Sequence, residues 1–309
     1  MRGKGILLAL LAAILSGTAV FINSFGVKSL DPFIYTTLKN AAVALALACI
    51  FVAYSQRAEL SKVSRRDVVL LLSIALTGGA AAFLLFFQGL ALSTGATSSF
   101  IYRCLFVFAS AIGIAFFRER LSLPVAAGGL LAIAGSLMLL STPFTFGTGE
   151  ALVLAATLLW SMEYALSKKA LERLSPSLVA LARMGAGSAF LFAFLAFTGR
   201  ASQAFSLSLV QLEWVLISSA FLFFFVSFWY RSLKLVSLTQ ATAALTLGGP
   251  VTALLSLVFA GKALAPSEAL GMFLLAAGLT LTIGYANLLD AFIFAKSFFK
   301  ARAFPWKAE

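Results

Sequence analysis

Four charged side chains lie deep within long apolar runs of this sequence and are its first candidates for chemistry: Lys39, Arg103, Glu163 and Arg183. A charge inside a membrane-spanning helix is costly and commonly marks a functional site. At a rise of about 1.5 Å per residue, Lys39 and Arg103 are expected about 9 Å from one end of their runs. The same arithmetic places Glu163 and Arg183 about 9–10 Å from the opposite membrane face.

Each pair has two interpretations. Lys39 and Arg103 have no acidic residue near them within a run, so they predict a cationic site for a carboxylate or phosphate group. The alternative is that both side chains snorkel to the membrane interface. Glu163 and Arg183 are either a structural ion pair or a functional site. In the functional case, Glu163 couples protons to transport or binds a substrate ammonium.

Aromatic residues near these charges are further candidates for substrate binding. Trp160, Glu163 and Tyr164 are spaced i, i+3 and i+4, so they share one face of a helix. Together with Tyr102, such a face is suited to stacking a ring or holding an ammonium by cation–π contact. The alternative is that these rings pack against other helices or face lipid.

Several polar or flexible residues complete the candidate set. Asn23 and Gln88 are secondary candidates for substrate binding, and each is equally suited to a hydrogen bond with a neighbouring helix. Gly248-Gly249-Pro250 lies in the middle of a run, where it predicts a kink and a gating hinge. The alternative for this triplet is ordinary close packing.

The composition fixes the kind of protein that must position these residues. Of the 309 residues, 61% are hydrophobic and 11% are charged, whereas soluble domains have about 25% charged residues. The chain has no histidine, which removes the commonest general base and metal ligand, and we expect no cofactor or metal. The two cysteines lie in apolar runs and imply no disulfide framework. We therefore predict an all-α polytopic membrane protein.

Ten runs are long enough to cross a bilayer core, which needs about 20 apolar residues per helix. They are approximately 5–27, 33–55, 67–92, 96–117, 123–142, 149–170, 177–199, 213–233, 238–260 and 266–288. The first run is too long for a signal-peptide core and is interpreted as a retained helix. Asp31 and Ser175 each precede a proline that opens a run, which is typical of helix caps.

The basic residues predict the orientation. If the N-terminus is cytoplasmic, 17 of the 23 Lys and Arg residues fall on the cytoplasmic side. The outer side has Lys28, Arg200 and Lys262, and the runs contain Lys39, Arg103 and Arg183. This asymmetry predicts two cytoplasmic termini in a plasma (inner) membrane. The net charge of +12 is therefore mainly a topology signal, and we expect no nucleic acid partner.

The chain also repeats itself. Residues 91–121 align without gaps on residues 234–264 at an offset of 143, and the upstream residues align at an offset of 144. We predict a five-helix repeat over 1–143, a second over 147–289, and a basic amphipathic cytoplasmic tail over 290–309. Because five is odd, the second repeat enters the membrane inverted, as in secondary transporters that bind substrate between their halves.

Here the sequence resembles the drug/metabolite transporter superfamily, of the EamA type. The residues that carry the resemblance are Ala91-Leu92, Phe117-Arg118-Glu119-Arg120-Leu121, Gly248-Gly249-Pro250, Gly261-Lys262-Ala263-Leu264 and the spacings Pro32 to Lys39 and Pro176 to Arg183. The resemblance covers roughly residues 5–288. The sequence departs at Lys262, where the family often has Glu, and at Val107, where the repeat leads one to expect a proline.

The resemblance implies export of small metabolites without naming one. We expect a secondary active transporter that exports an amino acid, a related zwitterion or an organic anion by alternating access, with protons as the candidate coupling ion. Alternatives are efflux of hydrophobic cations and antiport of phosphorylated or nucleotide sugars. A membrane enzyme acting on a lipid phosphate is disfavoured, because no run has paired carboxylates or a Ser/His arrangement. No charged ring or carbonyl filter indicates a channel.

Overall fold

The computed structural model describes residues 2–54, 56–119, 122–140, 145–260, 265–284, 288–290, 292–293 and 296. The first half contains α1 (Arg2–Ser29), α2 (Pro32–Ala53), α3 (Arg65–Ile74), a π-helical segment (Ala75–Ala81), α4 (Ala82–Leu92), α5 (Gly95–Arg103), α6 (Leu105–Phe117) and α7 (Leu123–Met138). The second half contains α8 (Thr148–Ala170), α9 (Pro176–Phe197), α10 (Leu209–Leu235), α11 (Leu238–Leu245), α12 (Gly248–Ala260) and α13 (Pro266–Ile283). Lys262 and most of the predicted tail lie outside the described residues.

The ten predicted runs are all helical in the described part of the chain. Eight spans are long and apolar enough to cross a membrane. The apolar helix α7 is shorter, at 16 residues, and α8 has 23 residues with charges towards both ends. These ten spans confirm the predicted class, an all-α polytopic membrane protein.

Helix ends follow the predicted cap chemistry. Oδ1 of Asp31 accepts hydrogen bonds from the backbone N–H groups of Phe33 and Ile34 at 2.9 and 3.2 Å. Oγ of Ser175 accepts one from Leu178 N–H at 3.2 Å. In both helices a proline follows the cap, so the chain has a fixed starting point for α2 and α9. These two starts set the height of Lys39 and Arg183, seven residues further along each helix.

The two halves interlock through their helices. Helix α1 packs along α10, and its counterpart α8 packs along α4, as expected for inverted repeats. Helices α2 and α9 pack against each other, as do α7 and α13. Small residues allow the closest approaches: a Cβ on Gly128 would overlap the Gly278 carbonyl and the Thr282 hydroxyl of α13. Gly185, in contrast, has open space where a Cβ would lie.

The fourth and ninth spans are both broken near their middle, at equivalent positions. The fourth is interrupted at Cys104, between α5 and α6, and the ninth at Thr246–Leu247, between α11 and α12. At the offset of 143, Cys104 aligns with Leu247, and the two half-helices on each side also align. The break in the ninth span was expected from Gly248-Gly249-Pro250. The fourth span breaks without a glycine or proline at that point.

Candidate functional site

Glu163 and Arg183 form a buried ion pair between α8 and α9. Oε2 of Glu163 lies 3.3 Å from Nε of Arg183, and the two side chains are 0% and 2% exposed. The other oxygen, Oε1, accepts hydrogen bonds from Ser167 Oγ at 2.5 Å and from Tyr230 Oη at 2.8 Å. Each carboxylate oxygen of Glu163 therefore already has a partner within the protein.

Lys39 is also buried, at 2% exposure, but its ammonium lies among aromatic rings. Nζ is 3.8 Å from the ring centroid of Phe87, 5.3 Å from that of Phe83 and 5.9 Å from that of Tyr35. Among the described residues, this Nζ contacts aromatic rings but forms no salt bridge and no hydrogen bond. Cation–π contact stabilises a buried ammonium without neutralising it, so the positive charge of Lys39 is uncompensated.

The ring of Phe83 lies between the basic residues of the two repeats. Its centroid is 5.1 Å from the Arg183 guanidinium carbon and 5.3 Å from Lys39 Nζ. The depth estimate grouped Lys39 with Arg103, whereas the structure brings Lys39 to Arg183. The reason is that α2 and α9 pack together and their long side chains reach one ring.

A buried aromatic cluster adjoins this charged group. The Trp160 ring centroid lies 5.3 Å from those of Phe83 and Tyr102. The hydroxyls of Tyr102 and Tyr164 are 3.1 Å apart, and the Tyr164 ring centroid is 4.4 Å from that of Trp229. Since Trp160 is 5% and Tyr164 1% exposed, their shared helix face points into the protein and not towards lipid.

The π-helical segment brings the backbone of the third span against this cluster. The side chains of Trp160 and Asn40 donate to carbonyls of this segment, those of Gly78 at 3.1 Å and Gly79 at 3.5 Å respectively. A Cβ on Gly78 would overlap the carboxylate-bearing end of Glu163, and one on Gly79 would overlap the Arg183 carbonyl. Only glycine permits this approach, which places the ion pair directly against the π segment.

Arg103 lies apart from Lys39, at the break of the fourth span. Its Nη1 donates to the carbonyl of Leu245, the last residue of α11, at 2.6 Å. Its guanidinium also packs against Gly248, the first residue of α12. Nε and Nη2 are buried without a hydrogen-bond partner in the described part of the structure. The guanidinium carbon of Arg103 lies 4.9 Å from the ring centroid of Tyr102, in the aromatic cluster. Lys39 contacts other rings, those of Phe87, Phe83 and Tyr35, so the two cations share no ring.

The two remaining polar candidates, Asn23 and Gln88, differ in their hydrogen bonds. Oδ1 of Asn23 accepts hydrogen bonds from Tyr35 Oη at 2.9 Å and Ser218 Oγ at 2.5 Å, so Asn23 joins three helices. Gln88 is partly buried on α4 and has no side-chain hydrogen bond among the described residues. Asn23 thus has the helix-bridging contacts that were its alternative interpretation.

Four residues of the site were not predicted from the sequence: Phe83, Phe87, Ser167 and Tyr230. Ser167 follows Glu163 by four residues, and this i, i+4 spacing was a usable signal. Phe83 and Phe87 share the same spacing but lie among 31 phenylalanines, so their type carried no information. Tyr230 reaches Glu163 from α10, a contact that no local spacing encodes.

At the predicted cytoplasmic ends, charged side chains bind backbone groups at helix ends, Glu119 across the two repeats and Lys168 within the second repeat. The Glu119 carboxylate accepts hydrogen bonds from Leu238 N–H at 2.7 Å and Thr239 N–H at 3.0 Å, at the start of α11. Nζ of Lys168 donates to the carbonyls of Leu233 and Val236 at 2.7 and 2.6 Å, at the end of α10. These contacts hold this end of the helix bundle together.

Eight long apolar spans, paired broken helices and a buried group of charged side chains between the halves are typical of a polytopic membrane transporter. The model of the EamA-like transporter family matches residues 3–141 and again residues 147–284. The chain therefore belongs to the EamA-like transporter family.

Two relatives agree with this assignment. An uncharacterized transporter of Methanothermobacter thermautotrophicus is 35% identical over 116 residues, which are 35% of this chain and 34% of that protein. The match thus spans about a third of the curated relative's length. A solved structure titled only "Crystal structure of protein" has a TM-score of 0.72 at 18% identity, over 95% of this chain and 99% of that one. That likeness concerns the fold alone.

Proposed function

We propose that this protein is a secondary active transporter that exports a small metabolite with a carboxylate group by alternating access. The substrate is an amino acid, a related zwitterion or an organic anion. The observation that carries the proposal is the uncompensated charge of Lys39, whose Nζ lies 3.8 Å from the Phe87 ring centroid. A substrate carboxylate supplies the missing negative charge, and the neighbouring rings suit an apolar or cationic part of the same molecule.

The charges around Lys39 disfavour the export of hydrophobic cations. Such a substrate needs an available acid, and both oxygens of Glu163 are engaged by Arg183, Ser167 and Tyr230. A second cation beside Lys39 would also add repulsion in a poorly screened interior. An anionic or zwitterionic substrate meets neither obstacle.

Counterflow into proteoliposomes containing the purified full chain tests the proposal. The probes are radiolabelled L-phenylalanine, L-threonine, L-glutamate and succinate, with glucose 6-phosphate and a tetraphenylphosphonium cation as representatives of the alternatives. We expect counterflow of at least one carboxylate probe and none of the cation. Counterflow of the cation alone would overturn the proposal, and counterflow of glucose 6-phosphate alone would favour a phosphorylated substrate.

The matched variants are Lys39→Gln and Lys62→Gln. Lys62 is an exposed lysine at the end of the segment Gln56–Lys62. We expect Lys39→Gln to raise the KM for the transported carboxylate by at least about tenfold, equivalent to about 1.4 kcal/mol of lost binding. Lys62→Gln should transport normally. Equal KM values for Lys39→Gln and the wild type would remove Lys39 from the substrate site.

We further propose that the protein lies in the plasma (inner) membrane with both termini in the cytoplasm. The distribution of Lys and Arg supports this orientation. Fusions of green fluorescent protein and of alkaline phosphatase to each terminus test it, because the first is active in the cytoplasm and the second outside. Phosphatase activity at either terminus would contradict the proposed topology.

A further inference from the structure

Several side chains connect the two broken spans, among them Ser99, whose hydroxyl donates to that of Thr252 at 3.2 Å, and one side chain connects the breaks themselves. Arg103 ends α5 in the first repeat, and its Nη1 donates at 2.6 Å to the carbonyl of Leu245, which ends α11 in the second repeat. Carbonyls at the end of a helix carry partial negative charge, and a cation there is favourable. A single guanidinium therefore lies at the carbonyl ends of two half-helices, at the matching breaks.

The local packing is built for this guanidinium. A Cβ on Gly248 would lie only 2.5 to 2.7 Å from the terminal atoms of Arg103, so a side chain at the first residue of α12 would displace the guanidinium from its present position. A Cβ on the next residue, Gly249, would meet Ser136 Oγ at 3.5 Å and Arg103 Cγ at 3.7 Å, which are ordinary contacts. Gly248 is thus specific to the Arg103 contact, whereas Gly249 is not.

The repeat equivalent of Arg103 carries no comparable contact. The aligned position in the second repeat is Thr246, whose hydroxyl donates to the Ala243 carbonyl of its own helix at 2.7 Å. The connection between the breaks is therefore one-sided. It is also incompletely satisfied, because Nε and Nη2 of Arg103 are buried without a partner among the described residues. Unsatisfied donors reduce the free-energy cost of releasing the single bond.

We propose that Arg103 is a positioning residue of the transport cycle and not a ligand of the substrate. In this structure, its guanidinium holds the break of the ninth span against the break of the fourth span. Release of the Leu245 carbonyl frees α11 and α12 to change their relative angle. This inference rests on the carrier function proposed above, but the contact and its release can be measured without any substrate.

A double-mutant cycle on the purified full chain tests the contact. Gly248→Ala should lower the thermal midpoint in the wild-type background, because the new methyl group overlaps the guanidinium. In the Arg103→Ala background the same change should cost little, since that overlap is gone. Gly249→Ala, the matched control, should have the same small effect in both backgrounds. If Gly248→Ala costs as much without Arg103 as with it, the contact does not exist.

Hydrogen exchange measured by mass spectrometry tests the release. For Arg103→Ala we expect about tenfold faster exchange at residues 245–251, with α7 unchanged as the internal reference, since the lost bond involves a charged donor. Arg103→Lys retains a donor and should restore much of the protection, which a generally damaged fold would not. Unchanged exchange at 245–251 in Arg103→Ala overturns the proposal. Absence of transport of every carboxylate probe would contradict the proposed function and leave this result standing.

Discussion

Lys39 and Arg183 occupy equivalent positions in the two inverted repeats and both contact the ring of Phe83. Their charged groups lie 5.3 and 5.1 Å from its centroid. The two halves thus supply matching cations to one ring, and among the described residues only the Arg183 cation has an acidic partner, Glu163.

The ring of Phe87 should stabilise the protein specifically through Lys39. Phe87→Leu removes the ring closest to Nζ, whereas Phe86→Leu removes an adjacent buried ring that contacts Tyr102 and Trp160 but not Lys39. We expect Phe87→Leu to cost about 1–2 kcal/mol more than Phe86→Leu, as measured by reversible denaturation. The excess should vanish in a Lys39→Met background. A persistent excess there would show that cation–π contact is not its cause.

Glu163 should be needed for stability whatever its role in transport. Glu163→Gln leaves the Arg183 guanidinium buried without its counter-charge, which costs about 3–5 kcal/mol when one partner of a buried pair is removed. The loss should appear as a lower thermal midpoint, and Glu163→Gln combined with Arg183→Gln should recover part of it.

The same variant separates the two interpretations of Glu163. If Glu163 couples protons, Glu163→Gln should abolish the dependence of transport on a pH gradient while substrate counterflow continues. If the gradient dependence is unchanged, Glu163 belongs to the structural pair alone. Counterflow is the suitable control, because it needs no net proton movement.

Glycines at the π segment should tolerate no side chain. Gly78→Ala forces a methyl group into Glu163, and Gly79→Ala forces one into the Arg183 backbone, so each should cost about 1–3 kcal/mol. Gly185→Ala is the matched control, because its Cβ would meet open space within a helix. There we expect a gain of about 0.5–1 kcal/mol from the reduced entropy of the unfolded chain. A neutral Gly78→Ala would contradict the close approach of the two spans.

Glu119 should stabilise the packing of the fourth span against the ninth span at the predicted cytoplasmic end. Its carboxylate caps the first two residues of α11, so Glu119→Ala should cost about 0.5–2 kcal/mol and expose the start of α11 to hydrogen exchange. Glu172→Ala is the control, since that exposed carboxylate lies in the turn after α8 and pairs with Lys169 near the end of that helix. Identical exchange in the two variants would show that the cap is not a constraint on this end.

The sequence alone predicts the parts of this fold that depend on local chemistry. The caps at Asp31 and Ser175 follow from proline spacing, and the burial of Glu163 follows from its place in an apolar run. Contacts that depend on side-chain reach between helices are not encoded locally. Lys39 was therefore assigned to Arg103 at the same estimated depth, although α2 packs against α9 and directs it to Phe83 and Phe87.

The two irregular segments of the first repeat illustrate the same limit. The break of the fourth span at Cys104 contains no glycine or proline that would predict it. Its position is indicated only by the alignment of the fourth span with the ninth, whose break precedes Gly248. The π segment contains Gly78-Gly79, which the sequence presents simply as a close helix contact. Its wider turns depend on Trp160 and Asn40, which take up two of its carbonyls from other helices.

That π segment also determines how α4, the part of the third span that follows it, is rotated about its own axis. A wider turn holds one residue more than an α-helical turn, and each residue of an α-helix advances the chain by about 100°. If Ala75–Ala81 took regular α-helical geometry with its present number of residues, α4 would turn by about 100°. Phe83 and Phe87 would then rotate away from Lys39 and Arg183 with no change in their own identity. The number of residues in this segment, as much as any side chain, thus determines which face of α4 lies towards Lys39 and Arg183.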